Sequence, residues 1–144
     1  MSCPAKAPRS VLMVGASRSL RAALRAMLRQ EPGFCLAGEA ETCKAALDLV
    51  LRCQPAVALV DVCLPDCSGF EVLKYIRQLA PACATVVLSN APDPCVEDVA
   101  LLLGANAVWH KRDDLSRLAE TLHHLVPMDL STTARDPRPK PLST

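Results

Sequence analysis

Short, almost wholly apolar runs alternate along this chain with longer stretches in which apolar positions recur every three or four residues. Ser10 to Val14 is the first such run, of the kind that forms a strand buried on both faces. Leu20, Leu24, Met27 and Leu28 then fall at helical spacing, with Ser17 or Ser19 placed to cap the first turn. Arg18, Arg21, Arg25 and Arg29 occupy the other faces of that helix, where a solvated surface is expected, and Pro32-Gly33 ends it. Phe34 to Ala40 reads as a second strand, and Thr42 to Cys53 as a helix stopped before Pro55. Val57 to Val60 is a third strand that ends in Asp61; after a loop with Pro65 and Gly69, a helix runs from about Phe70 to Leu79. Thr85 to Leu88 is a fourth strand, Asp93 to Leu103 a helix ended by Gly104, and Ala107 to His110 a short fifth strand. Leu115, Leu118, Ala119, Leu122, Leu125 and Val126 stripe a last helix closed by Pro127.

Five strand–helix repeats of this kind predict an α/β fold. Strands apolar on both faces need helices on both sides, hence a parallel sheet between two helical layers. Right-handed crossovers favour a doubly wound, flavodoxin-like five-stranded sheet in the order 2-1-3-4-5. Chemistry in such sheets sits at the carboxyl ends of the strands, which singles out Gly15 to Ser17, Asp61 to Cys63, Ser89 to Ala91, and Lys111. The pattern divides the chain into an N-terminal extension over 1–9, one domain over 10–126, and a linker or disordered tail over 127–144, where Pro137, Pro139 and Pro141 alternate with polar residues.

Composition narrows the setting. Hydrophobic residues make up 51% and charged residues 22% of 144, enough apolar material for a core. A formal net charge of +1 gives no electrostatic pointer to nucleic acid. No run of about 18 apolar residues suggests a membrane span, and residues 1–10 lack the features of a signal peptide. A cytoplasmic protein is expected. The eight cysteines (Cys3, Cys35, Cys43, Cys53, Cys63, Cys67, Cys83 and Cys95) are scattered without a C-x-x-C pair. Free thiols in a reducing compartment are expected, several of them packed as small hydrophobes. Neither a zinc site nor ligation by His123-His124 has a visible third partner.

Asp61 is the centre of the candidate chemistry. Alone it is an ordinary strand-end aspartate, but Pro65 and Gly69 follow it by four and eight residues, Ser89 ends the fourth strand, and Lys111 follows the fifth with Gly104-Ala105 before it. This constellation, over about residues 10 to 126, resembles the receiver domain of bacterial two-component response regulators. The resemblance implies a phosphoacceptor at Asp61, with Ser89 and Lys111 contacting the phosphoryl oxygens. It also implies Mg²⁺ held by that aspartate, the carbonyl of Cys63, an acidic residue after the first strand, and water. The chemistry is coherent: a carboxylate attacks phosphorus while a hydroxyl, an ammonium and a metal take up the charge.

Two positions depart from the family. Where receivers carry an acidic pair after the first strand, this chain has Gly15 and Ala16, neither of which can ligate a metal through its side chain. Where many receivers carry Tyr or Phe three residues before the lysine, it has Val108, beside Trp109. The resulting expectation is an atypical, non-enzymatic receiver that signals through protein contacts, with metal-dependent phosphorylation weak or absent and no cofactor. The alternative is a conventional receiver phosphorylated on Asp61 by a histidine kinase, with Mg²⁺ and a separate transcriptional output domain. In composition the chain resembles the response regulators with a LuxR-type helix-turn-helix, but no such domain fits after Pro127. Three consecutive leucines, Leu101 to Leu103, cannot all face the sheet, because successive helical residues are about 100° apart. Leu102 and Val108 therefore mark a candidate interface on the fourth-helix, fifth-strand, fifth-helix face, for a homodimer or a partner. A redox role for Cys63, Cys67 or Cys95 is a further possibility. Without Mg²⁺, Lys111 is expected to pair with Asp61.

Overall fold

The computed structural model describes residues 9–90 and 93–127. Along the chain the elements are β1 (Arg9–Val14), α1 (Arg18–Arg29), β2 (Phe34–Ala40), α2 (Cys43–Cys53), β3 (Val57–Asp61), α3 (Gly69–Leu79), β4 (Ala84–Ser89), α4 (Pro94–Leu102), β5 (Ala107–His110) and α5 (Leu115–Leu125). The strands form one parallel sheet in the order β2-β1-β3-β4-β5. This is the flavodoxin-like order expected from the apolar pattern, with both sheet faces covered.

Strand alternation builds the two sides of the core. Val11, Met13, Val57, Leu59, Val86, Leu88 and Trp109 face Leu24 and Leu28 of α1 and Leu118 and Leu122 of α5. Their neighbours Leu12, Val14, Ala58 and Val60 face Ala46 and Val50 of α2 and Val72 and Ile76 of α3. A smaller cluster of Leu73, Val87, Ala100 and Ala105 seats α4. Helix starts are set by side chains that satisfy free N–H groups of the first turn. Ser17 accepts from Leu20, Thr42 from Ala45, Ser68 from Phe70 and Asp93 from Cys95.

The structure corrects several expectations. Arg9 belongs to β1 rather than to an extension. Its guanidinium is buried over the Phe34 ring, 4.0 Å from the centroid, and donates to the carbonyls of Pro32, Gly33 and Val126. The rest of the proposed extension, and all of the tail after Pro127, lie outside the described residues. Arg21 and Arg25 are not on a solvated face: Arg21 is buried, and both pair with Glu39 of β2. The expectation of eight free thiols fails at Cys35, which is disulfide-bonded. Cys43, Cys53, Cys63, Cys67, Cys83 and Cys95 are free; Cys3 lies outside the described residues.

On α4 only Ala100 is buried. Leu102 is 82% exposed and Leu101 53%, as three successive leucines require. Val108, the other expected member of that patch, instead packs half-buried against the cluster under α4. Its neighbour Trp109 faces the opposite side, 5% exposed among α1 and α5, with its indole N–H donating to the Asp114 carbonyl at 3.3 Å. Replacing Trp109 with Ala should cost about 3–5 kcal/mol in urea unfolding, the range for deleting a large aromatic from a packed core. A loss below about 1 kcal/mol would mean that Trp109 does not hold α5 to the sheet.

Candidate functional site

Asp61 ends β3 at the mouth of the sheet, where its side chain is only 6% exposed. A carboxylate so placed must be paired or hydrogen-bonded. Its Oδ2 accepts from Lys111 Nζ at 2.8 Å and its Oδ1 from the Cys63 backbone N–H at 3.1 Å. Lys111 is delivered by the end of β5, its own N–H donating to the Ser89 carbonyl at 2.8 Å. Ser89 is itself buried and lies opposite His110 in the ladder. The parallel register of β3, β4 and β5 thus brings together Asp61, Ser89 and Lys111, three residues separated widely in sequence.

The loop after Asp61 folds back sharply. Gly69 N–H donates to the Val62 carbonyl at 2.7 Å, and Cys63 pairs with Ser68 in an antiparallel bridge. A Cβ on Gly69 would lie 2.1 Å from the Asp61 carbonyl oxygen, so only glycine permits this closure. That is the physical content of the glycine eight residues after the aspartate. Asp66, at the tip, accepts from the N–H groups of Cys43 at 2.7 Å and Lys44 at 3.2 Å, anchoring the loop on the first turn of α2. Those N–H bonds, the Cys43 bond first, hold the Asp66 carboxyl below its ordinary value.

Across Asp61 stands Gly15. A Cβ there would sit 3.4 Å from the Asp61 Cβ and 3.5 Å from its Oδ2, ordinary contact distances. A side chain at position 15 would therefore adjoin the carboxylate directly. What adjoins it here is backbone, and the Gly15 carbonyl accepts from Arg21 Nη1 at 2.6 Å. The same guanidinium donates to Glu39 at 3.1 Å and Glu41 at 2.9 Å, and Arg25 grips Glu39 through two bonds at 2.7 and 2.9 Å. Arg21 is the site residue that sequence reasoning missed. The available signal was the pair Glu39 and Glu41 at the end of the second strand, two acids one strand away from a helix rich in arginine.

This donor set does not fit Mg²⁺, which takes a near-octahedral shell of oxygens. One carboxylate is present, one of its oxygens is already held by an ammonium, and Gly15 and Ala16 offer no side-chain oxygen. Among the described residues no group of three or more His, Cys, Asp and Glu side chains is placed to hold a metal ion. The switch position Val108 has no ring. Next to it along β5, His110 Nε2 meets Glu97 of α4 at 3.0 Å, while its Nδ1 is buried without a partner. Cys63 is exposed; Cys67 turns inward beside Cys43.

A doubly wound parallel sheet with an aspartate, a buried serine and a lysine converging at its carboxyl edge defines a receiver-type α/β protein. The family model for the response regulator receiver domain matches residues 11–123, so the chain belongs to that family, the receiver module of two-component signalling. It is 34% identical over 106 residues to a protein-glutamate methylesterase/protein-glutamine glutaminase of Gluconobacter oxydans, covering 73% of this chain and 30% of that protein. It is 26% identical over 112 residues to the transcriptional regulatory protein DegU of Brevibacillus brevis, covering 78% and 48%. The chain spans about half the length of its curated relatives, or less. Among solved structures it resembles a LuxR-family DNA-binding response regulator from Staphylococcus aureus, with a TM-score of 0.76, 20% identity, and coverage of 81% of this chain and 98% of that one. The response regulator domain of Thermotoga maritima CheB superposes with a TM-score of 0.72 at 24% identity, covering 81% and 92%. No helix among the described residues is long and apolar enough to cross a membrane.

The Arg21–Glu39–Arg25 cluster makes a pH-dependent contribution of known sign. Glu39 is held below its ordinary 4.5 chiefly by the Arg25 hydrogen bond, with Arg21 adding to it against the cost of burial. A carboxyl whose value is depressed in the folded state stabilises above its unfolded value, and that contribution fades as pH falls through the folded value. Glu39→Gln should therefore be less stable than the parent near neutrality, and the gap should close as pH falls below 4.5. Urea midpoints measured across that range test it; a gap that stays constant into acid contradicts the assignment.

Proposed function

We propose that this receiver is a signalling module that acts through protein–protein contacts, with metal-dependent phosphorylation weak or absent. The observation that carries the reading is the Asp61–Lys111 pair at 2.8 Å beside a glycine that offers no carboxylate. A phosphoacceptor carboxylate must approach a dianionic phosphoryl group, and a divalent cation normally offsets that repulsion. Among the described residues, the counter-charge in contact with Asp61 is a monovalent ammonium already engaged by it. The exposed Leu101 and Leu102 on α4 support a contact surface on the α4–β5–α5 face, for a second copy or a partner protein. The module itself is then no enzyme and contacts no nucleic acid, and a cytoplasmic place in the cell accords with this role.

A second reading keeps its own support. Asp61, Ser89 and Lys111 converge at one strand edge, the set a conventional receiver uses to accept phosphate from a histidine kinase. In that reading the output is a domain beyond this chain. Relatives named as a methylesterase and as a transcriptional regulator, each longer than this chain, are consistent with an output domain without choosing its kind.

The deciding experiment is incubation with a small acyl phosphate at millimolar Mg²⁺, followed by intact-mass spectrometry, with Asp61→Asn as control. The proposal expects no acid-stable, hydroxylamine-labile phosphoryl adduct above the level of the control. A near-stoichiometric adduct lost in Asp61→Asn would establish the second reading instead.

A further inference from the structure

The loop that anchors on α2 brings two free thiols together. Asp66 holds the first turn of α2 through the N–H groups of Cys43 at 2.7 Å and Lys44 at 3.2 Å, which brings the next residue, Cys67, to the same apolar cluster as Cys43; the Cys67 thiol donates to the Ser68 carbonyl at 3.2 Å. Both pack in the same apolar cluster, Cys43 within it and Cys67 against it. Both also line one surface cavity of 610 Å³, with Lys44, Leu47, Asp66, Ser68, Glu71 and Tyr75. Cys63 is exposed, whereas Cys67 packs against the cluster that contains Cys43. Two free thiols on separate elements thus share one cluster and border one cavity.

We propose that Cys43 and Cys67 are a dithiol modification site that takes small-molecule disulfides and closes into an intramolecular disulfide, tying the first turn of α2 to the loop that follows Asp61. The cavity suits an uncharged or cationic disulfide, because Asp66 and Glu71 outnumber Lys44 on its wall. The exchange proceeds in two steps. The Cys43 thiolate attacks one sulfur of the small disulfide; that S–S bond breaks, the first small thiolate leaves, and it takes up the proton given up by Cys43. Cys67 then gives up its proton and attacks the Cys43 sulfur of the mixed disulfide, expelling the second small thiolate, which is protonated in turn. The two protein thiols lose two electrons and two protons in all, and the small disulfide is reduced to two thiols.

The order follows from the surroundings of Cys67. Burial, and after it the neighbouring Cys43, push its thiol up to about 12. Cys67 is therefore better suited as the second attacker. Closure should be slow near neutrality and accelerate as pH rises, since the thiolate is the attacking form. The site is independent of whether Asp61 accepts phosphate.

The test uses the full chain and bis(2-hydroxyethyl) disulfide, with thiols blocked by iodoacetamide at intervals and peptides mapped by mass. Labelling of Cys43 and Cys67 should disappear together, one for one, as a linked peptide two hydrogens lighter appears. Cys67→Ser should stop at a mixed disulfide on Cys43, and Cys63→Ala should close as the parent does. Linkage of Cys67 to Cys63, mixed disulfides persisting on both Cys43 and Cys67, or consumption of the exposed Cys95 with neither touched would each overturn the proposal. Should Cys67→Ser fail to fold, the identity of the linked peptide in the parent decides the matter alone.

Discussion

The structure turns on a carboxylate buried at the mouth of an apolar sheet. Asp61 is reached through the strand ladder, closed over by the Gly69 turn, and left with little access to water. An isolated charge in such a place is costly, so the surroundings must supply a counter-charge or donors. Receivers ordinarily meet this demand with a divalent cation held by further acids. In this structure the Lys111 ammonium lies on one oxygen and the Cys63 N–H on the other.

The rest of the site is arranged around that pair. With glycine at position 15 the end of β1 carries no charge toward Asp61, and its carbonyl turns to Arg21. Arg21 and Arg25 in turn neutralise Glu39 and Glu41, so the acids nearest the site are committed to guanidinium groups on α1. Asp61, Glu39 and Glu41 are each paired with a cation of the same chain. The same economy of contact appears at Asp66, which ties the active loop to α2 and in doing so sets Cys67 beside Cys43. Against this compact edge, α4 is the loosely held element. One buried alanine seats it, two leucines face water, and its Glu97 reaches His110 at the end of β5.

Much of this was legible in the sequence because the information was local. Apolar runs fix which residues are strand, since only burial on both faces tolerates Val57 to Val60, and caps such as Ser17 and Thr42 mark helix starts. Asp61, Ser89 and Lys111 were readable because strand ends in a doubly wound sheet converge by topology. Three adjacent leucines on α4 announce an exposed one by helical geometry alone. What was not legible depends on register and side-chain direction. The burial of Arg21 needed the end of β2 to lie beside α1. The half-buried place of Val108 depends on how α4 packs on the sheet, and the cluster shared by Cys43 and Cys67 joins residues far apart in the chain. Arginines on a surface helix and scattered cysteines look alike whether or not a partner waits across the fold.

The central claim is that internal pairing at Asp61, beside an uncharged position 15, stands where other receivers hold a metal. The most direct measurement is Mg²⁺ calorimetry on the parent and on the double substitution Gly15→Asp with Ala16→Asp. Contact distances at Gly15 leave room for the added side chain. Since affinity for such hard cations rises with the number of carboxylate ligands, the variant should bind Mg²⁺ at least about tenfold more tightly than the parent. A parent that binds Mg²⁺ as tightly as the variant, with that binding lost in Asp61→Asn, would contradict the account.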